Sequence, residues 1–573
     1  IDAELDPKSN TVTGRAEIRY TNNSPDTLEY LWLHLEQNMF RPDSISSAVA
    51  WSTRQAEDFE GGLELKSLTS GGEALAHHVW DTLARVDLPR ALGPGDGFEF
   101  EVEWSFELVE GEGVRHGVEI VEQGKIFEVA QWFPAVAVYD DVHGWSTMPY
   151  IGSGEFYTNF GEYELNITAP RGYTVGATGV LQNEAEVLTA AQRERLAEAK
   201  RSRETVTIIA ADEVGQEGSW PEGDGPLTWR FHAENVRTVA WAASDAFIWD
   251  AATAEGGALA QSMYPKEGIE HWSKATDMLA FSIEHYSERW FPYPYPVATN
   301  INGIEGGMEY PMIIFCSSRE DEKDLFFVTT HEIGHNWFPM MVNTDERRHA
   351  WMDEGFDSFM NYYACLEYYP GEDYFAEIKD LIIDRDEFAD LMQRRSGAPI
   401  VATPDHAARQ IGWLMYDKTA LGLIILRETI LGPERFDPAF RAYIERWAWK
   451  SPRPADFFRT MEDVAGDDLS WFWRGWFLTT HTVDQAVTRV MREGGETEVV
   501  VENRGEMIMP LHLRLFFADG TMDDRRLSAA VWMAGDRFRY PVKSDAKLVG
   551  VVVDPDREIP DTDRSNNDWG RTR

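Results

Sequence analysis

Apolar and polar residues alternate strictly along Phe98-Glu99-Phe100-Glu101-Val102-Glu103-Trp104-Ser105-Phe106. A period of two marks a strand with one buried face. The first third of the chain reads as such β-structure, punctuated by the turn clusters Asn22-Asn23-Ser24-Pro25-Asp26 and Gly93-Pro94-Gly95-Asp96-Gly97. Thr189-Ala190-Ala191-Gln192 and the charged run after it, to residue 204, predict one surface helix within that region. The Gly/Pro-rich stretch 215–226 predicts a loop. From about residue 251 the pattern turns helical, through Trp272-Ser273-Lys274 and Phe281-Ser282-Ile283, with a break at Phe291-Pro292-Tyr293-Pro294-Tyr295-Pro296. A further helix is expected from a capping aspartate, Asp324, through the apolar run 325–328 and on to Trp337, Phe338 and Met341. The aromatic segment Leu469-Ser470-Trp471-Phe472-Trp473 is most simply packing. After Thr482 short alternating strands return, as in Glu498-Val499-Val500-Val501 and Leu511-His512-Leu513-Arg514-Leu515-Phe516. The expectation is a multi-domain α+β chain: an N-terminal β domain over 1–250, a mainly helical domain over 251–481, and a C-terminal β-sandwich over 482–573.

Length and composition agree with several cores. A chain of 573 residues exceeds what one hydrophobic core fills and divides into roughly three or four domains. No run approaches the ~20 uninterrupted apolar residues of a membrane span. A formal net charge of −45 argues against nucleic acid and anionic membrane surfaces as partners, because both demand clustered Lys and Arg. The acid-rich, lysine-poor surface suits solubility at high salt, and equally suits a generic solubilising role. Cys316 and Cys365 lack metal-ligand spacing and read as buried thiols, with no geometric support for a bridge between them. The chain begins at Ile1 rather than Met, so any secretory signal lies outside it; an extracytoplasmic location, periplasmic or secreted, is the expectation.

The chemistry is concentrated in His331-Glu332-Ile333-Gly334-His335 and Trp351-Met352-Asp353-Glu354-Gly355-Phe356. Positions four apart on a helix stack one turn above each other, so both imidazoles can face one ion. A catalytic zinc takes three protein ligands and keeps a fourth position for water, which makes Glu354 the candidate third ligand. Glu332 points elsewhere on the helix but can lean over the attacking water as a general base.

These residues resemble the zinc metallopeptidases of the aminopeptidase N type, in the gluzincin group. That signature is a His-Glu-x-x-His helix, eighteen intervening residues and a glutamate ligand; here residues 336–353 are the eighteen. A second family motif, Gly-x-Met-Glu-Asn, is similar to Gly306-Gly307-Met308-Glu309-Tyr310, with Tyr310 in place of the Asn. The resemblance implies that Glu309, with Gly306, Gly307 and Met308 around it, binds the substrate's free α-amino group. Met415-Tyr416-Asp417-Lys418-Thr419-Ala420 looks like a third motif, implying that Tyr416 donates to the oxyanion of the tetrahedral intermediate. Gln131, in Ala130-Gln131-Trp132-Phe133-Pro134, is similar to a family glutamine that helps hold the amine.

By resemblance the N-terminal domain would be a β saddle, the middle domain thermolysin-like and the last domain an immunoglobulin-like β-sandwich. The C-terminal helical domain of many relatives would be lacking, giving a short three-domain form. The implied activity is that of a zinc aminopeptidase with one Zn2+ per chain, acting on peptides with a free N-terminus. The alternatives are a zinc hydrolase of blocked or non-peptide substrates (endopeptidase, amidase or epoxide hydrolase) and a non-catalytic scaffold. Asp357, one turn after Glu354, is a candidate for orienting a ligand histidine.

Overall fold

The computed structural model describes residues 1–49, 59–371, 385–395, 397–493 and 496–570. It is a multi-domain α+β chain, with helices and several separate sheets. Its α-carbons divide into two compact units, one of residues 1–353, 360–365 and 447–452, the other of residues 354–359, 366–446 and 453–573.

In the first unit, the alternation along residues 98–106 becomes the strand Gly97–Glu107, with Phe98, Phe100, Val102, Trp104 and Phe106 buried and Glu99, Glu103 and Glu107 exposed. Burying each such side chain stabilises the fold by about 1.5–3 kcal/mol, which fixes the register, because a slip of one residue would turn all five to water. The strand lies in an eight-stranded sheet, paired along its full length with Thr11–Thr21. The two turn clusters flank these strands as expected: Asn22 N–H and Gly95 N–H bond to carbonyls of Asp96 and Asn22. The surface helix is Ala190–Ala199, closed at its start by a reciprocal Thr189–Gln192 capping box.

The turn to helix comes later than the sequence pattern suggests. Residues 248–253 and 259–264 are still strands, in a six-stranded sheet ordered Val206–Ile209, Ile248–Thr253, Leu259–Tyr264, Val297–Asn302, Ile313–Cys316, Gly307–Tyr310. Strands buried on both faces, such as Val297–Asn302, lose the period of two and read ambiguously. The helices Ala275–Arg289 and Glu322–Gly334 pack on each other and on this sheet. The second helix begins earlier than expected, capped by Asp321, whose carboxylate accepts from the Lys323 and Asp324 N–H groups at 2.9 Å each. It also stops earlier: Trp337, Phe338 and Met341 lie beyond its end at Gly334, because Pro339 has no N–H and disfavours a helical residue before it. Cys316, at the end of its strand, and Cys365, within a helix, are free and buried.

In the second unit, Ser470–Phe472 and the turn after it are packing elements, as read: Trp473 stacks on Phe458 with ring centroids 4.7 Å apart. The last ninety residues form a three-stranded and a four-stranded sheet that share one core of Val499, Val501, Leu511, Leu513, Leu515 and Val551. Among the described residues, no helix is long and apolar enough to cross a membrane.

Burial also sets a pH response. It pulls the imidazole of His34 down to about 3 and that of His116 to about 4. A histidine that is neutral when folded but titrates near 6.5 when unfolded gives stability that is full above pH 6.5 and is lost as pH falls below it. His116 packs edge-on against Phe40, centroids 5.2 Å apart. Urea unfolding of His116→Phe and the parent at pH 7 and pH 5 should therefore show the difference between them moving by about 2 kcal/mol in favour of the variant at pH 5. Carboxyls that respond in the opposite sense are common to both proteins and cancel. A difference that does not move with pH contradicts the assignment.

Candidate functional site

The helix Glu322–Gly334 carries His331 and Glu332, and His335 caps its end. One turn apart, the two imidazoles converge: their Nε2 atoms are 3.2 Å apart and their rings stand at 85°. His335 Nδ1 faces the Asp353 carboxylate at 2.7 Å and the Phe338 carbonyl at 2.8 Å. Both are acceptors, so the proton belongs on Nδ1 and Nε2 is the basic nitrogen. Two nitrogens bound to one tetrahedral zinc at about 2.0–2.1 Å are about 3.3 Å apart, so the spacing fits a metal pair. Asp353 is the orienting group the sequence did not single out. Its only signal is its place beside Glu354; Asp357, which was singled out, is buried one turn into the following helix.

The edge strand Gly307–Tyr310 runs beside this helix and pairs with Ile313–Cys316. Gly307 has a steric reason to be glycine: a β-carbon there would lie 2.4 Å from Glu332 Oε1. The strand backbone therefore comes as close to the carboxylate as a side chain would otherwise forbid. Glu309 is buried, and one of its oxygens lies within 4.8 Å of both a Glu332 oxygen and a His335 nitrogen. Among the described residues its Oε1 has no hydrogen-bond partner. Burial, then the neighbouring Glu155 carboxylate, push the Glu309 carboxyl well above the usual range.

The other expected residues are placed as follows. Met308 is buried against the guanidinium of Arg115, and Gly306 is exposed with open space around it. Tyr310 is buried and stacks on Phe156, centroids 5.6 Å apart and rings 9° from parallel. Gln131 is buried in a left-handed backbone conformation, φ 48°, and neither atom of its side-chain amide has a partner among the described residues.

In the second unit, Glu354 opens the helix Glu354–Tyr368 and is buried. Tyr416 donates its phenol proton to Glu354 Oε1 at 2.5 Å. Gly355 permits this approach, since a β-carbon there would meet Thr419 at 2.2 Å and the Met415 carbonyl at 2.6 Å. Tyr416 lies in a π-helical turn, Gly412–Lys418, an irregularity often found at functional positions.

An imidazole pair with one ring's tautomer fixed, beside the two buried carboxyls of Glu332 and Glu309, is a set of groups that could hold a metal ion, as a metal-assisted hydrolase requires. The comparisons with known proteins narrow that class. Residues 308–476 match the Peptidase family M1 domain, that of the aminopeptidase N family of peptidases, which is zinc-dependent in general. It is similar to "Aminopeptidase M1-D" of Oryza sativa subsp. japonica, 25% identical over 236 residues, which are 38% of this chain and 26% of that protein. It is likewise similar to "Aminopeptidase 2, mitochondrial" of Saccharomyces cerevisiae, 24% identical over 265 residues, 42% and 27% of the two chains. "Glutamyl aminopeptidase" of Homo sapiens is 25% identical over 154 residues, 26% and 16% of the two chains. The matched segment thus spans about a quarter of the first relatives' own length.

One substitution tests the close approach directly. Gly307→Ala should push the Glu332 carboxylate aside and lower turnover by roughly 10²-fold, the usual cost of a displacement of about 1 Å at reacting groups. Circular dichroism should be unchanged. Parent-like turnover in a folded variant would show that the strand does not confine the base.

Proposed function

We propose that the protein is a zinc aminopeptidase that removes residues from the free N-terminus of peptides. One observation carries the reading: Glu309 is buried with no partner for its Oε1 among the described residues, and it has an oxygen within 4.8 Å of the Glu332 carboxylate. Burial holds the Glu309 carboxyl well above the usual range, and a ligand that brings a cation restores its charged form. Placed beside the base, that ligand is the ammonium end of the scissile residue. The same proposal includes the β saddle over 1–250, the thermolysin-like domain over 251–481 and the immunoglobulin-like sandwich over 482–573.

His331, His335 and Glu354 would hold one zinc ion. The two Nε2 atoms have the right separation, and Glu354 follows Asp353 directly, the residue that grips His335. When bound, zinc supplies a Lewis acid that acidifies water and polarises the peptide carbonyl. The protein's own groups do the rest. Glu309 grips the α-ammonium by charge-assisted hydrogen bonds and sets the first peptide bond over the base. Glu332 takes the proton of the attacking water and returns it to the leaving amine. Tyr416 turns its phenol from Glu354 to the oxyanion of the tetrahedral intermediate, where one such donor contributes about 10²–10³ in turnover. Gln131 adds an amide beside the amino terminus.

Glu332→Gln keeps shape and hydrogen bonding but removes the base. Elemental analysis should still find one zinc per chain, while hydrolysis of aminoacyl-coumarins falls by at least about 10³-fold. Near-normal turnover in the zinc-loaded variant would refute the role of Glu332.

A further inference from the structure

We propose that Glu155 is a second carboxylate of the ammonium anchor, acting beside Glu309, and that Arg115 is the positioning residue that holds it there. The inference rests on the aminopeptidase reading and names the parts of its substrate clamp. Four buried carboxylates, Glu155, Glu309, Glu346 and Asp353, each offer an oxygen within 4.8 Å of the others. Like charges at that spacing require cations among them. Three have one. Arg237 is 2.7 Å from Glu346, both side chains fully buried; Arg115 is 2.8 Å from Glu155 Oε1; His335 is 2.7 Å from Asp353. Glu309 is the fourth, with no partner for its Oε1 among the described residues, and the two arginines leave the cluster short of positive charge.

The spacing matches one ammonium bridging two carboxylates. With N–H···O distances of about 2.8 Å along tetrahedral directions, the two acceptors stand about 4.6 Å apart. Glu155 is equipped for the second position. Arg115 occupies its Oε1, while Oε2 is buried without a hydrogen-bond partner among the described residues. Arg115 also donates to Tyr150 Oη at 3.1 Å and touches the sulfur of Met308, the residue before Glu309. One guanidinium therefore ties the loop bearing Glu155 to the strand bearing Glu309. It takes up part of the charge of Glu155 and leaves the remaining oxygen for a ligand N–H.

Calorimetry with leucinol and its amine-free analogue 4-methylpentan-1-ol tests the clamp independently of turnover. The parent should bind leucinol at least ~100-fold more tightly. Glu155→Gln should cut that ratio about 10-fold, as should Arg115→Met, whereas Arg115→Lys retains most of it. Glu155→Asp keeps the charge but draws it back by one methylene, and should fall between. With aminoacyl-coumarins, KM should rise about 10-fold in Glu155→Gln while kcat stays within about 3-fold and zinc content is unchanged. A ratio unaltered in Glu155→Gln and Glu155→Asp overturns the proposal, as does an equal weakening of both ligands, which would mean a structural role only. A parent that discriminates leucinol yet hydrolyses no aminoacyl-coumarin would keep the clamp and remove the peptidase reading; the converse removes the clamp alone.

Discussion

The close contact between a β-edge and a helix organises the first unit's share of the site. A backbone without a side chain at Gly307 lies against the Glu332 carboxylate, and two residues on, the same strand delivers Glu309. Helix and strand are both regular elements, so the residues carrying the Glu332 and Glu309 carboxyls are fixed relative to each other by hydrogen-bonded main chain. Pairing with Ile313–Cys316 and packing of Ala275–Arg289 behind the helix hold that geometry. The close approach places negative charge against negative charge, and the surrounding cations answer this need.

Those cations explain an otherwise expensive interior. Buried ion pairs seldom add net stability, because desolvation offsets the attraction, but removing one partner alone typically costs 3–5 kcal/mol. Arg237 with Glu346 and Arg115 with Glu155 therefore act as a fixed charge pattern rather than as staples. Arginine compensation stops at Glu309, whose Oε1 has no partner among the described residues; under the aminopeptidase proposal an amino terminus supplies the missing positive charge. The same logic applies to His335, whose proton is placed by Asp353 and Phe338 so that the other nitrogen stays basic.

The sequence showed the local patterns and missed those that depend on three dimensions. The alternation at residues 98–106, the Thr189 cap and the His-Glu-x-x-His spacing report on neighbours along the chain and became the elements expected. The strands at 248–264 were obscured because burial on both faces removes the alternation that identifies a strand. The end of the zinc-type helix was overrun because apolar residues at helical spacing continued past it, although Pro339 signalled a stop. Asp353 was hidden beside a more conspicuous neighbour. Glu155 and Arg115 are separated from Glu309 by well over a hundred residues, and no spacing rule connects them. Tyr416 was identified by resemblance; its bond to Glu354 follows from a glycine contact visible only in the fold.

The central claim, that a free amino terminus is what the site recognises, is tested most directly by mass spectrometry of a peptide digested as a free and as an N-acetylated sample. The account requires a ladder shortened one residue at a time from the free end and an intact acetylated peptide. Internal cuts, or equal digestion of both samples, would contradict it.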